Sequence, residues 1–303
     1  EGVKVAGYIF RVLDASGTVL IEEELDAETV TKSVGPLADG NYTVSVAAID
    51  NIGNIGVAKT ATFKVDTTAP SVPVITSGPV DPTNAKEYTV IWDASTDALS
   101  GIQGYNVWLN GELKSTVPQT ETEYRFSYSD LSGDGEVKVE VSAIDNAKET
   151  GNESDKAVYT FVVDTIAPAA PEGLSLLPVP ENGENLIGAI NPAFTWNQAS
   201  EEGSGVVGYI LTISDGAGYT SDIPMIGQPE IGQPIRFATS DVLTAGIYTA
   251  TVASVDAAGN VTTEELAEII FYVYDVEPVV DTLNVTTFEM NSVQNFESSV
   301  SVA

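Results

Sequence analysis

A segment that runs from Phe through alternating residues into Asp and Pro occurs three times in this chain. It reads "FKVDTTAP" at 63–70, "FVVDTIAP" at 161–168 and, in degraded form, "FYVYDVEP" at 271–278. Internal repetition constrains a fold more than local propensity does, because each copy must be the same structural unit. A second block lies just upstream of each copy: "NYTVSVAAIDNIGN" (41–54), "EVKVEVSAIDNAKETGN" (136–152) and "IYTATVASVDAAGN" (247–260). Each opens with strict alternation. Tyr42, Val44 and Val46 share one face of an extended chain, as do Val137, Val139 and Val141, and Tyr248, Ala250 and Val252. Four residues beyond the last of each set stands an Asp, namely Asp50, Asp145 and Asp256, and a Gly-Asn turn signal follows.

A third block is shared by two copies, "WDASTDALSGIQGYNVWLNGE" (92–112) and "WNQASEEGSGVVGYILTISDG" (196–216). Thirteen residues separate Trp92 from Tyr105 and Trp196 from Tyr209. A buried Trp ending one strand, an acidic loop, and a Gly-Tyr opening the next strand account for this spacing. Asn110-Gly111 supplies a type I′ hairpin turn. About seven short strands per repeat and no helical periodicity predict an all-β chain of tandem two-sheet sandwiches, immunoglobulin-like or fibronectin III-like, in an elongated array. The expected segments are an incomplete domain at 1–66, full domains at 67–164 and 165–275, and at 276–303 the first strands of a further domain. Tyr42 and Tyr248 each follow a Leu-x-x-Gly-like turn and read equally as tyrosine corners or ordinary core aromatics; the second copy has Val137 there.

Composition narrows the function. The 303 residues carry 44 acidic and 12 basic side chains, a formal charge of −32. Such a surface repels nucleic acid and anionic membranes and attracts cations. The absence of Cys and His removes thiol nucleophiles, disulfides, ordinary zinc sites and imidazole-dependent triads. No apolar run approaches the roughly 18–20 residues of a membrane span. Glu1 follows no start Met or signal-like stretch, which reads as a processed or trimmed end. No acid, base and nucleophile set converges in the sequence, so no enzymatic role is expected.

With "VDTTAP" and "VDTIAP" linkers, "D-x-x-G-N" turns and "SG-x-x-GY" strand starts, the chain resembles the tandem Ig-like or fibronectin III-like repeats of large bacterial and archaeal surface proteins. These include repeat adhesins and S-layer or fibre proteins. The resemblance covers nearly the whole chain and implies an extracellular stalk, layer or fibre whose joints hold Ca²⁺.

The sandwich topology then gives the linker aspartate a role. The loop between the last two strands lies at the pole where the chain enters, beside the loop after the Trp strand. Asp145, Asp93 and Asp97 are therefore expected to face Asp66, and Asp256, Glu201 and Glu202 to face Asp164. Asp50 and Asp275 extend the set to the outer joints. Ca²⁺ takes six to eight oxygens in a tolerant geometry, so these carboxylates are candidate ligands, with Pro70 and Pro168 stiffening each entry. The alternative for each Asp is plain turn chemistry, since Asp-x-x-Gly-Asn and Asp before Thr form Asx turns without metal. An EF-hand at Asp130–Asp134–Gly135 is excluded because Val141 stands where the loop needs Glu.

Along 105–110, Tyr105, Val107 and Leu109 take the core face and turn Trp108 outward. There it either contacts a glycan or receptor, as in an adhesin, or lies shielded by neighbours on its sheet. Asn-x-Ser/Thr sites occur at Asn41, Asn152, Asn260 and Asn284, and two of these Asn serve turns in any case. Gly7-Tyr8 matches Gly104-Tyr105 and Gly208-Tyr209, so the first domain lacks its opening strands. "LNVTTF" (283–288) and "FESSVSVA" (296–303) read as two strands. Phe296 lies fifteen residues before Tyr8 once the ends are joined, as Phe194 lies before Tyr209. Two situations produce that match. Either the chain is an excerpt of a longer array, or copies join head to tail by strand donation.

Overall fold

A computed structural model describes residues 4–147, 150–177, 185–187, 191–218, 220–226, 235–238, 243–274, 283–284 and 301–302. The chain divides into two compact units, Glu1–Thr165 and Ile166–Ala303.

The first unit opens with β1 (Val5–Asp14), β2 (Val19–Asp26), β3 (Gly40–Asp50) and β4 (Lys59–Val65). They form one antiparallel sheet in the order β2-β1-β3-β4. Seven strands follow: β5 (Val74–Ser77), β6 (Glu87–Asp93), β7 (Ile102–Leu109), β8 (Glu112–Pro118), β9 (Glu123–Ser127), β10 (Gly135–Asp145) and β11 (Ala157–Val163). Sheet β5-β6-β9 packs on sheet β11-β10-β7-β8, the A-B-E against G-F-C-C′ order of a fibronectin III-like sandwich. The alternation read from the sequence does the packing. Tyr88, Val90 and Trp92 from one sheet meet Tyr105, Val107, Val139 and Phe161 from the other. A 3-10 turn at Tyr128–Asp130 is the helical element among the described residues.

The second unit repeats the plan with β12 (Ser175–Leu177), β13 (Leu186–Ile187), β14 (Ala193–Trp196), β15 (Val206–Ser214), β16 (Thr220–Ile226), β17 (Ile235–Ala238), β18 (Gly246–Asp256) and β19 (Ala267–Val273). Sheet β12-β14-β17 faces β13-β19-β18-β15-β16, with β13 added parallel to β19. Leu176, Phe194, Trp196, Tyr209 and Phe271 fill its core. Leu283–Asn284 pairs antiparallel with Ser301–Val302; the remainder of 276–303 lies outside the described residues.

The first sheet is different. Its apolar face carries Phe10, Val12 and Tyr42, with Val34 and Leu37 from the β2–β3 connection packed against them. No opposing sheet is present among the described residues of 4–66. Burial therefore decays along β3: Tyr42 is 7% exposed, Val44 half-buried and Val46 36% exposed, although the sequence pattern treats them alike. The connection 27–39 forms no strand, for a physical reason visible in the next sandwich. There β9 hydrogen-bonds only to β6, and the first sheet has no counterpart of β6 to pair with.

Three recurrent motifs gain a cause. In each Trp–Tyr pair the rings meet edge to face, at 5.4 Å and 65° for Trp92–Tyr105 and 5.7 Å and 66° for Trp196–Tyr209. The Tyr105 hydroxyl accepts the Ser95 N–H at 2.9 Å, and Tyr209 accepts that of Ala199 at 3.0 Å, so the core ring fixes the start of the acidic loop. The Gly of each Gly-Tyr sits beside a register shift, and a Cβ on Gly7 or Gly104 would lie 2.6 or 2.2 Å from the carbonyl oxygen of Leu25 or Val117. Tyr42 and Tyr248 are tyrosine corners: their hydroxyls donate to the carbonyls of Ala38 (2.7 Å) and Thr244 (3.1 Å), four residues upstream. Asn110 and Gly111 both take positive φ (51° and 83°), as a type I′ hairpin requires.

Candidate metal centre

Each candidate ligand is placed by a strand end. Asp66 is the residue after β4, Asp97 lies in the loop between β6 and β7, and Asp145 is the last residue of β10. One carboxylate oxygen from each of these three converges within 4.8 Å of the others, all inside the first unit. Asp145 is fully buried and the other two are half-buried. A groove lined by Val65, Asp66, Ser100, Asn146 and Asn152 opens beside them. Among the described residues, none of the Lys or Arg ion pairs involves this triad.

Backbone N–H groups hold the three anions in place. Asp97 Oδ1 accepts the amides of Leu99 (3.0 Å), Ser100 (2.8 Å) and Gly101 (2.8 Å). Burial works to raise the Asp97 pKa, but these donors outweigh it and hold the carboxyl below its ordinary 3.8. Asp66 Oδ1 accepts the Thr68 amide at 3.2 Å, an Asx turn, while Oδ2 accepts the Ser100 amide at 3.0 Å. Asp145 Oδ1 accepts the amides of Ala147 (2.9 Å) and Asn152 (2.7 Å), and Oδ2 accepts the Asn152 side-chain amide at 2.8 Å. That amide also reaches the Asp66 carbonyl at 3.2 Å. The Asp–Asn clasp recurs at Asp50–Asn54 and Asp256–Asn260, so the repeated Asp and Asn serve the turn in every copy.

The donor set suits a hard cation. Unit charges at 4.8 Å repel by about 3 kcal/mol per pair at an effective dielectric constant of ~20. An oxygen-seeking divalent ion removes that repulsion, and its remaining ligands are carbonyls and waters.

The other candidates fall elsewhere. Asp93 is exposed at the end of β6, outside the triad. Asp50 is half-buried within its own clasp. Asp164 is buried at the end of the first unit, where its amide donates to the Thr83 carbonyl. In the second unit Asp256 is buried, Glu201 half-buried and Glu202 exposed. Asp275 lies outside the described residues, and the ladder shows that the motif places it one position late. Val65 pairs with Gly40, Val163 with Gly135 and Val273 with Gly246, so Tyr274 stands where Asp66 and Asp164 stand. The outward face of Trp108 is covered: the Lys156 ammonium sits 3.7 Å from its ring centroid and 3.7 Å from Glu140. Among the described residues no helix is long and apolar enough to cross a membrane.

Two further aspartates that bind the linkers are absent from the candidates that the sequence motifs single out. Asp39, just before β3, accepts the Thr67 amide (2.9 Å) and hydroxyl (2.8 Å) on Oδ1 and the Thr68 hydroxyl (2.6 Å) on Oδ2. Asp134, just before β10, accepts the amide of Thr165 at 2.8 Å and its hydroxyl at 3.1 Å. A signal for them exists: Asp-Gly before the long strand and Thr after the linker Asp occur together in the first two copies. Both are missing from the third, which has Ala245-Gly246.

These donors set a pH dependence. The Asp39 carboxyl is held below 3.8 first by the Thr68 hydroxyl and then by that of Thr67, with burial and the Asp97 charge opposing. Asp50 is lowered chiefly by the Asn54 side chain, against burial. A folded pKa below the unfolded value adds stability that is complete above the unfolded value and is lost as pH falls through the folded one. Urea midpoints are therefore expected to decline only once pH drops below about 3.8. Midpoints that hold constant well below that pH would show that these contacts carry no stability.

No family model matches the chain. It is similar to exoglucanase B of Cellulomonas fimi, 31% identical over 286 residues, 88% of this chain and 23% of that protein. Exoglucanase A of the same organism is 28% identical over 282 residues, 88% of this chain and 29% of that one. The chain thus spans about a quarter of the length of these curated relatives. Among solved structures it is similar to the chicken CNTN1 FN1-FN3 domains, at 18% identity and a TM-score of 0.40, covering 88% of this chain and 89% of that one. The fibronectin(III)-like modules of Clostridium thermocellum CbhA match at 13% identity and a TM-score of 0.39, covering 66% and 93%. The strand order and the tyrosine corners define the class: this is a tandem array of fibronectin III-like, immunoglobulin-like repeats.

Proposed function

We propose that the chain is a non-catalytic, extracellular spacer or stalk whose joints are stiffened by Ca²⁺. The convergence of Asp66, Asp97 and Asp145 from three loops is the observation that carries this reading. The match to exoglucanases over about a quarter of their length supports a module that spaces the working parts of a secreted protein. The face of β1 and β3, on which the described residues place no second sheet, supports the rest of the proposal: strands from a continuing repeat, or from another copy arranged head to tail, complete the first sandwich.

Calcium titration tests it. Ca²⁺ at a hundredfold excess over its Kd is expected to stabilise the chain by about 2.7 kcal/mol relative to chelator, with Mg²⁺ much weaker. Small-angle scattering in the same samples is expected to show a narrower spread of lengths with Ca²⁺. Sedimentation at rising concentration reads head-to-tail association. Identical melting and scattering in Ca²⁺ and in chelator would rule out the calcium joint.

A further inference from the structure

We infer that Asp39 is a positioning residue for the Asp66–Asp97–Asp145 cluster, an inference that rests on the calcium reading above. Asp66 stands in an irregular linker, since no strand covers 66–73. On its N-terminal side the chain is fixed, because Val65 is the last rung of the ladder, opposite Gly40. On its C-terminal side the chain is irregular as far as Val74, and Asp39 holds Thr67 and Thr68 there through three hydrogen bonds, beside the Asx turn of Asp66 and a 3.4 Å bond from the Asn152 side chain to the Thr68 carbonyl. The ligand is thus clamped between a ladder rung and a side-chain latch. Asp39 itself is not one of the three converging carboxylates. It orients the chain that presents one of them, as the outer partners of a metal site do.

The repeats supply an independent observation. Asp134 latches Thr165 immediately after Asp164, the same arrangement one repeat later. The third copy loses both partners at once, with Ala245 in the place of Asp39 and Tyr274 in the place of Asp66. The third linker also lacks the Thr that the latch would hold, so latch, latched residue and carboxylate are absent together. Charge is the competing explanation, because Asp39 lies close enough to Asp97 for each to feel the other. An Asp39→Asn change separates the two, as the amide oxygen still accepts the Thr67 amide while the charge is gone.

Hydrogen exchange of the full chain, titrated with Ca²⁺ and read at residues 95–101, provides the test. That loop carries the amides bonded to Asp97 and makes none of the Asp39 contacts. For Asp39→Ala the Ca²⁺ midpoint of protection is expected to rise about tenfold or more, and for Asp39→Asn less than about threefold. An Asp39→Ala midpoint equal to that of the unmodified chain overturns the inference and leaves the calcium reading standing. Equal shifts for Ala and Asn also overturn it, in favour of charge. If the unmodified chain gains no Ca²⁺-dependent protection in this loop, the calcium reading itself has failed, and the inference with it.

Discussion

Trp92→Ala is expected to cost the first unit about 3–5 kcal/mol, enough to unfold its complete sandwich at ordinary temperature. Trp92 is 2% exposed and packs edge-on against Tyr105 at the centre of the core shared by β6 and β7. Removing the indole leaves a cavity between two sheets that cannot close, because each is held at its own hydrogen-bonded spacing. Truncation also withdraws the ring that Tyr105 packs on, and Tyr105 in turn orders Ser95 and the loop bearing Asp97. Stability and the acid triad are therefore expected to fail together. Trp92→Phe is a sharper test. The Trp92 Nε1 is buried without a hydrogen-bond partner, so Phe deletes an unsatisfied donor along with part of the volume. Its loss is expected to be less than half that of Ala. Equal losses in equilibrium denaturation would show that the indole itself, and not the volume it fills, decides the site.

Asp145→Ala is expected to destabilise the same unit by about 3 kcal/mol even in chelator. The side chain is fully buried and satisfies two backbone amides and the Asn152 side chain. Alanine strands all three donors away from water. Asp145→Asn keeps one acceptor and is expected to lose less, while removing a charge from the triad. A chain in which Asp145→Ala unfolds normally in chelator, and loses only its response to Ca²⁺, would show that the turn does not depend on this carboxylate. Asp145 therefore serves both the turn and the cluster, and turn chemistry and metal ligation are compatible at this position.

The residues that pair within one repeat are legible in the amino-acid sequence. Alternation through Val137, Val139 and Val141 is enough to assign a buried face, because a strand places every second side chain on one side. The constant Trp-to-Tyr spacing reports one contact made twice. The position of Asp97 beside Asp66 and Asp145 also follows from sandwich topology, which brings the same loops to one pole. The neighbouring Asp93 could not be told apart from it, because only the end of β6 decides which acid of the loop turns outward.

What the sequence determined by itself is the repeat: its strands, its hairpin turn, its Trp–Tyr pairs and its acidic loops, all set by periods of two and by local turn chemistry. The tertiary structure alone decided the contacts that join distant segments. It revealed the Asp39 latch on Thr67 and Thr68, a pairing across 28 and 29 residues whose two halves the Asp-Gly and Thr motifs mark but do not join. Among the described residues it also places no second sheet on the face of β1 and β3. Burial is a property of what packs against a strand, and the alternation of Tyr42, Val44 and Val46 specifies a face without supplying its cover.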